Sequence, residues 1–220
     1  MTNEYIYSHV DHTLLSATAS NADIEKLCKE AVEFKTASVC LPPSYIKYVR
    51  ALFPELCICT VIGFPLGYDL QETKELATKA ALEDTADELD MVINITDVKN
   101  KKFDKIKKEI SSLKKIAGSK ILKVIIETCY LTQDEKIKMC EVVTGAGADY
   151  IKTSTGFGIA GATLDDIEIF KKHIGKNVKI KAAGGIRTRD DMVAFLQAGA
   201  ERLGTSSAVK ILSGEEGKGY

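Results

Sequence analysis

Residues 148–158 of the chain read ADYIKTSTGFG, and they place a lysine inside what otherwise has the composition of a buried strand. Alternation along a strand puts Tyr150, Lys152 and Ser154 on one face, whereas Ile151 points to the opposite face. Burial disfavours the charged form of a lysine and can turn its side chain into an amine nucleophile. The segment therefore predicts a buried strand that carries a chemically active lysine.

Short apolar runs alternate with amphipathic segments on both sides of this strand. The candidate strands are residues 7–10, 36–39, 57–61, 88–93, 122–126, 150–153, 179–182 and 202–204. Apolar residues at helical spacing predict helices between them, for example Ile24, Leu27, Cys28 and Ala31. Strict alternation favours parallel strands joined by right-handed crossovers, so we predict an α/β fold, a single-domain (β/α)8 TIM barrel.

Helix starts are marked by a threonine three residues before an acid, the spacing of a capping box. Such pairs are Thr132 with Glu135, Thr163 with Asp166, and Thr188 with Asp191. No linker or break in composition divides the chain, so we predict one domain over residues 1–220, with 213–220 as a loose C-terminal tail. An open doubly wound sheet is the alternative, but the GxGxxG motif expected after its first strand is missing.

Charge and cysteine content narrow the classes of partner. Thirty basic residues face thirty-one acidic ones, with no long block of one sign, which argues against nucleic acid or an anionic membrane as partner. The N-terminus lacks signal-peptide features and no apolar run approaches a membrane span, so we expect a cytoplasmic protein with a small-molecule partner. The six cysteines form no CxxC motif, and we predict neither a metal nor a disulfide.

Charged residues occupy strand positions that should face the barrel interior. They are Glu88 and Asp90, Lys123 and Glu127, Lys152, and Lys179 and Lys181. Of the last two, Lys181 is nearer the C-terminal mouth, where barrel active sites form. A network of this kind can also be purely structural, which we favour for Lys123 and Glu127 taken singly but not for Lys152.

Two partly buried lysines on adjacent strands lower the pKa of one of them. A change in the pKa of a lysine from about 10.4 to about 7 corresponds to ~4 kcal/mol. At neutral pH it leaves roughly half of the amine unprotonated. An activated amine beside a carboxylate is suited to Schiff-base chemistry on a carbonyl, with Asp90 as the proton carrier. The pairing of Lys152 with Lys181 therefore predicts an amine catalyst.

Loops at the ends of three strands predict a phosphate site. Gly184 and Gly185 follow the seventh strand, and Gly204-Thr205-Ser206-Ser207 follows the eighth. Glycines, hydroxyls and helix N-termini all favour anions, and barrels often bind phosphate at this pair of loops. Thr155 and Gly156 end the sixth strand nearby; simple turn glycines and helix caps are the alternative interpretation.

Eight motifs in order carry a resemblance over essentially the whole chain: DHTLL, SVCLPPSYI, TVIGFPLG, ADELDMVINI, LKVIIET, ADYIKTSTGFG, KAAGGIRT and GTSS. The sequence closely resembles the 2-deoxyribose-5-phosphate aldolase family. The resemblance implies a class I aldolase without metal or cofactor, which cleaves 2-deoxy-D-ribose 5-phosphate reversibly to D-glyceraldehyde 3-phosphate and acetaldehyde in deoxyribonucleoside catabolism. It leaves a homo-oligomer possible.

Matching motifs imply residue roles. Lys152 is the Schiff-base lysine, Lys181 the lysine that perturbs its pKa and exchanges protons, and Asp90 the proton-relay acid. The implied phosphate ligands are Gly184, Gly185, Ser206, Ser207, Thr155 and Gly156, and the implied pocket residues are Asp11, Thr13, Cys40, Lys123 and the terminal Tyr220. Some members have a lysine where this chain has Phe157, which predicts that one cationic phosphate contact is absent or supplied elsewhere.

Two functions from other classes compete with the aldolase. One is an isomerase or epimerase for a phosphosugar, which moves protons without forming a covalent bond to an amine. The other is a non-catalytic sensor of phosphorylated metabolites. A sensor would not need the inward Lys152 and Lys181, and borohydride reduction distinguishes the aldolase from an isomerase or epimerase.

Overall fold

Parallel strands close into a barrel, each paired with its neighbours in the sequence and the last paired with the first. The computed structural model describes residues 1–215 and residue 217. The strands are β1 Val10–Thr13, β2 Ser38–Leu41, β3 Ile58–Ile62, β4 Glu88–Val92, β5 Ile121–Ile125, β6 Tyr150–Lys152, β7 Lys179–Ala183 and β8 Arg202–Thr205. The TIM-barrel prediction is confirmed.

At least one helix follows every strand and packs on the outside of the barrel. The α-helices are α1 Asn3–Tyr7, α2 Asn21–Phe34, α3 Ile46–Leu52, α4 Gln71–Glu83, α5 Ile95–Lys99, α6 Phe103–Ala117, α7 Gln133–Gly145, α8 Leu164–His173, α9 Arg189–Ala198 and α10 Ala208–Leu212. The three capping boxes expected from the sequence are present, at the starts of α7, α8 and α9. Single helical turns cover Pro43–Tyr45 and Thr128–Tyr130.

The main apolar core lies between the barrel and its helices. The α2 face expected from the sequence is buried there in full: Ile24, Leu27, Cys28 and Ala31. Outward strand residues such as Leu89, Ile151 and Leu203 meet these helices and are fully buried. Since the apolar residues take the outward positions, the inward positions of the same strands are left for polar residues.

The first strand differs from the prediction. Residues 3–7 form α1, whose first turn is capped by the Thr2 side chain, and the strand begins only at Val10. Tyr7 is buried and stacks on Phe34 of α2 with ring centroids 4.8 Å apart, so its apolar character serves helix packing. As a result Asp11 lies within β1, facing Gly204 of β8 in register.

The C-terminal tail is described only in part. Glu215 donates its N–H to the carbonyl of Lys210, and Gly217 donates to the carbonyl of Arg187, each at 2.9 Å. Tyr220 lies outside the described residues, and the single-domain interpretation stays a prediction. Within the described part of the chain, none of the helices has both the length and the apolar character needed to cross a membrane.

Gly67, in the turn after β3, provides a test of the barrel's backbone packing. Its φ is +72°, and a Cβ there would lie 2.0 Å from the carbonyl oxygen of Ile93. We expect Gly67→Ala to reduce the free energy of unfolding by about 3 kcal/mol, because both the backbone conformation and the contact oppose a side chain. Urea unfolding followed by circular dichroism measures the change.

Gly147, in the turn after α7, is the matched control. Its φ is +81°, but a Cβ there would have nothing within 4 Å. Gly147→Ala should therefore cost only about 1 kcal/mol, the contribution of the backbone conformation. Equal losses for the two variants would show that the close approach to Ile93 does not matter.

Candidate active site

Lysines from three consecutive strands converge on one carboxylate inside the barrel. Asp90 of β4 accepts hydrogen bonds at Oδ1 from Lys123 Nζ of β5, at 2.8 Å, and at Oδ2 from Lys152 Nζ of β6, at 2.7 Å. Lys181 Nζ of β7 also lies 2.7 Å from Oδ2. Lys152 and Lys181 are register partners on neighbouring strands, so both side chains reach the same oxygen. The inward orientation expected from strand alternation thus produces one lysine–aspartate cluster.

Further charged groups support the cluster from the N-terminal side of the barrel. Asp11 of β1 pairs with Lys181 and with Arg202 of β8. Glu88 of β4 lies 2.6 Å from Lys123 Nζ and 2.8 Å from a terminal nitrogen of Arg202. We refer to these seven residues together as the charge cluster: Asp11, Glu88, Asp90, Lys123, Lys152, Lys181 and Arg202. Sequence reasoning missed Arg202, which opens β8 and meets Asp11 and Glu88 only once the barrel is closed.

Charge balance distinguishes Lys152 from the other two lysines. The charge cluster contains four basic side chains and three carboxylates. Among the residues that the structure describes, Lys123 contacts three carboxylates and Lys181 two. Lys152 contacts Asp90 alone among them, through an oxygen that it shares with Lys181. Lys152 is also the lysine of the three that reaches the solvent, with 4% of its side chain exposed against 0%. It is the least compensated and the most accessible amine.

Ionisation in the charge cluster follows from burial opposed by close opposite charges. Burial alone would raise the pKa of Asp90, but Lys123, Lys152 and Lys181 hold it well below its ordinary value. Burial would lower the pKa of Lys181, but Asp11 and Asp90 raise it above the ordinary value of a lysine. Asp90 is therefore held as a carboxylate and Lys181 as an ammonium. Sequence reasoning placed Lys181 directly against Lys152, whereas Asp90 Oδ2 bridges them.

A cavity of about 190 Å³ opens beside the charge cluster at the C-terminal ends of β6, β7 and β8. Of the six phosphate ligands implied by the sequence, four line it: Gly156, Gly184, Gly185 and Ser206. Gly204 connects the two regions, because it lines the cavity and a Cβ on it would lie 3.2 Å from Cε of Lys181. Glycines dominate the lining, so backbone groups are close to any anion held there.

The structure places the other implied phosphate residues differently. Thr155 donates to the carboxylate of Glu127, and Ser207 lines a neighbouring cavity of about 580 Å³ with Thr13. Helix α9 does not reach the first cavity, since its N-terminus is closed by the Thr188–Asp191 capping box. The β7 loop that lines the cavity instead ends in Arg187, a cation that sequence reasoning missed, although it lies two residues after Gly185.

Cysteine side chains lie close to Asp90. Cys40 of β2 and Cys59 of β3 are register partners, and their sulfurs and an Asp90 oxygen lie within 4.8 Å of one another. Both buried cysteines join Leu15 and Val61 in a small apolar cluster inside the barrel. Cys59 also donates to Asp90 Oδ1 at 3.2 Å and accepts from Lys123 Nζ at 3.3 Å, so this apolar cluster borders the charged groups directly.

His12 points away from the site. Its Nε2 lies 2.8 Å from Glu30 Oε2 of α2, on the outside of β1, whereas Asp11 faces inward. A catalytic pair of Asp11 and His12 is therefore not formed. Phe157 is 46% exposed and packs edge-on against Phe64, with ring centroids 5.3 Å apart.

The fold and the charge cluster define a barrel enzyme with an amine and a carboxylate at its C-terminal mouth. The chain belongs to the DeoC/LacD family of aldolases, whose model matches residues 6–214. The resemblance and the aldolase activity expected from the sequence are thereby confirmed.

Individual relatives agree over the full length. The chain is 60% identical to a deoxyribose-phosphate aldolase of Clostridium botulinum (strain Eklund 17B / Type B), with 100% of both chains covered. It is 58% identical to that of Clostridioides difficile (strain 630), over 99% of this chain and 100% of the relative. A solved deoxyribose phosphate aldolase from Aeropyrum pernix, described as tetrameric, superimposes with a TM-score of 0.90 at 33% identity, over 96% of this chain and 91% of that one.

Removing Asp11 tests the charge cluster by its pH dependence. Burial would raise the pKa of Asp11, but Lys181, Lys123 and Arg202 lower it overall, so its contribution to stability is present above its unfolded-state pKa of about 3.9. We expect Asp11→Asn to lose about 3 kcal/mol of unfolding free energy at neutral pH, since Lys181 and Arg202 lose a partner. This loss should shrink as the pH falls below about 3.9.

Urea unfolding at a series of pH values, with the exposed Glu33→Gln as control, measures both effects. Glu33→Gln should stay close to the unaltered protein at every pH. A loss for Asp11→Asn that is unchanged down to strongly acidic pH would contradict a role for its ionised form.

Proposed function

We propose that the protein is a class I aldolase that cleaves 2-deoxy-D-ribose 5-phosphate reversibly to D-glyceraldehyde 3-phosphate and acetaldehyde. The observation that carries the proposal is the convergence of Lys152, Lys181 and Lys123 on Asp90 beside an anion-sized cavity. The names of the Clostridium botulinum and Clostridioides difficile relatives agree with this substrate.

Lys152 is the nucleophile in this proposal. Of the three lysines in the charge cluster, Lys152 has the fewest contacts with described carboxylates, and its side chain is the one that reaches the solvent. Its free amine adds to the C1 aldehyde of the open-chain substrate, and loss of water leaves a protonated Schiff base. The iminium then serves as the electron sink for carbon–carbon cleavage.

Asp90 and Lys181 move the protons. In the cleavage direction the C3 hydroxyl gives up its proton, the C2–C3 bond breaks, and its electron pair enters the iminium to form an enamine. D-glyceraldehyde 3-phosphate leaves; a proton returned to C2 and hydrolysis of the imine then release acetaldehyde and the amine. Asp90 Oδ2, bonded to both lysines, is placed to exchange protons with the site, and Lys181 keeps a proton available through its contacts with Asp11 and Asp90.

The 190 Å³ cavity would hold the 5-phosphate. Its backbone groups at Gly156, Gly184 and Gly185 suit an anion, and Arg187 provides a positive charge in a chain that has Phe157 in place of a lysine. Ser206 adds a hydroxyl from the β8 loop. The small apolar cluster that contains Cys40 and Val61 lies beside Asp90 and suits the two-carbon fragment of the substrate.

The proposal includes the cellular setting. A phosphorylated metabolite as substrate favours the cytoplasm, and we propose a homo-oligomer, as described for the Aeropyrum pernix relative. In support, the segment after β3 exposes Leu66, Tyr68 and Leu70 at 56%, 63% and 73%.

Borohydride reduction tests the proposed chemistry. With acetaldehyde present, reduction should add one two-carbon unit to the intact mass, and peptide mapping should locate it at Lys152, because only the Schiff base is reduced to a stable amine. Lys152→Leu should take up no label. The control Lys179→Leu removes an exposed lysine of the neighbouring strand and should label as the unaltered protein does.

An unchanged mass would leave the two competing functions. Turnover of a phosphosugar without trapping would indicate an isomerase or epimerase. Binding of phosphosugars without any turnover would indicate a sensor.

Asp90→Asn tests the proton relay. The change keeps the size of the side chain but removes the carboxylate that faces the two lysines. We expect kcat to fall by about a hundredfold or more, with a much smaller change in KM, because the group is needed in the transition state. Steady-state kinetics with 2-deoxy-D-ribose 5-phosphate measures both, and an equal loss in kcat and in substrate affinity would mean that Asp90 only positions the substrate.

A further inference from the structure

Glu127 has an unusual backbone at the end of β5. Its φ is +49°, in the left-handed region that a residue with a Cβ rarely adopts. The residues on either side fix it, because Ile126 donates its N–H to the carbonyl of Lys152 at 3.1 Å and Thr128 donates to Thr153 at 2.9 Å. A strained conformation of this kind persists where the surrounding structure determines it, often at functional sites.

The carboxylate of Glu127 is buried and faces the segment that follows β6. It accepts the backbone N–H of Thr155 at 3.2 and 3.3 Å and also the Thr155 hydroxyl. The same hydroxyl oxygen accepts the N–H of Phe157 at 3.0 Å. The carboxylate of Glu127 thus holds the backbone N–H of Thr155 directly and that of Phe157 through the Thr155 hydroxyl. These two backbone amides lie on either side of Gly156.

The opposite side of this segment forms a wall of the anion cavity. Gly156 turns with φ +89°, and both Gly156 and Gly158 line the cavity. Gly158 also fits tightly against the carboxylate, since a Cβ on it would lie 3.1 Å from Glu127 Oε1. The position of Glu127 therefore determines where the cavity wall lies.

Direct roles for Glu127 fit the structure poorly. It is not among the residues that line the anion cavity, and a carboxylate would repel a phosphate there. Among the described residues it forms no ion pair with the lysines of the charge cluster, so it does not replace Asp90.

We propose that Glu127 is a positioning residue that holds residues 155–158, through Thr155, in the conformation that binds the 5-phosphate. The inference rests on the proposed function, because it concerns the phosphate end of the same substrate. It assigns Glu127 to recognition of the phosphate, separate from the chemistry at Lys152.

Comparison of a phosphorylated with an unphosphorylated substrate tests this assignment. For Glu127→Ala we expect kcat/KM with 2-deoxy-D-ribose 5-phosphate to fall about tenfold or more through KM, the size of effect that lost hydrogen bonds to a charged group produce. With unphosphorylated 2-deoxy-D-ribose, kcat/KM should change by less than about twofold. The inhibition constant of inorganic phosphate should rise in parallel with KM.

A conservative variant of Glu127 and a variant of its partner Thr155 distinguish a positioning role from a general loss of structure. Glu127→Gln keeps an oxygen that can accept the Thr155 hydroxyl, so it should restore part of the lost affinity. Thr155→Val removes that hydroxyl and should reproduce the defect. The double variant Glu127→Ala/Thr155→Val should lose no more kcat/KM than the more severe single variant. Both changes remove the same connection, the one between Glu127 and Thr155.

Equal losses with the two substrates, or additive effects of Glu127→Ala and Thr155→Val, would overturn the inference. If Glu127→Ala does not fold, as judged by thermal unfolding, Glu127→Gln and Thr155→Val give the same comparison. These outcomes differ from a failure of the proposed function itself. In that case the unaltered protein would show neither turnover nor trapping at Lys152.

Discussion

The carboxylate of Asp90 is the group on which the interior of this barrel depends. Three lysine side chains, almost fully removed from water, place their Nζ atoms within 2.8 Å of its two oxygens. Uncompensated charges at this depth would be strongly unfavourable, so the carboxylate, together with Asp11 and Glu88, offsets the cost of burying the lysines. The same carboxylate then links the amine proposed to react with the one proposed to keep a proton.

The barrel supplies the geometry through strand register. Asp90 is opposite Lys123, and Lys152 is opposite Lys181, so neighbouring strands deliver long side chains at matching heights. Arg202 and Glu88 complete the network below them, while the β6, β7 and β8 ends carry the glycine-rich cavity. Charge compensation lies deeper in the barrel and anion binding at its mouth, which fits a substrate with a reactive carbonyl at one end and a phosphate at the other.

The alternation of strand-like with helical segments was enough to predict the barrel. The alternation of side chains along each strand was enough to predict that Lys152, Lys181 and Asp90 face inward, because this period of two residues is a local property. The predicted start of β1 was wrong, because the apolar Tyr7 belongs to helix α1 and packs against α2. Sequence reasoning also missed Arg187 and Arg202, because closure of the barrel and the course of the β7 loop decide which distant residues meet. The bridging position of Asp90 between two lysines likewise depends on the successive registers of β4 with β5, β5 with β6 and β6 with β7, which one strand does not reveal.

Neutron diffraction from crystals of the deuterated, substrate-free protein tests most directly whether Asp90 is the ionised centre of the lysine cluster. Such data locate the deuterons on Asp90 and on the lysines that face it. At neutral pH we predict no deuteron on Asp90 and ammonium groups with three deuterons at Lys123 and Lys181. A deuteron on Asp90 together with a neutral amine at Lys181 would contradict this account.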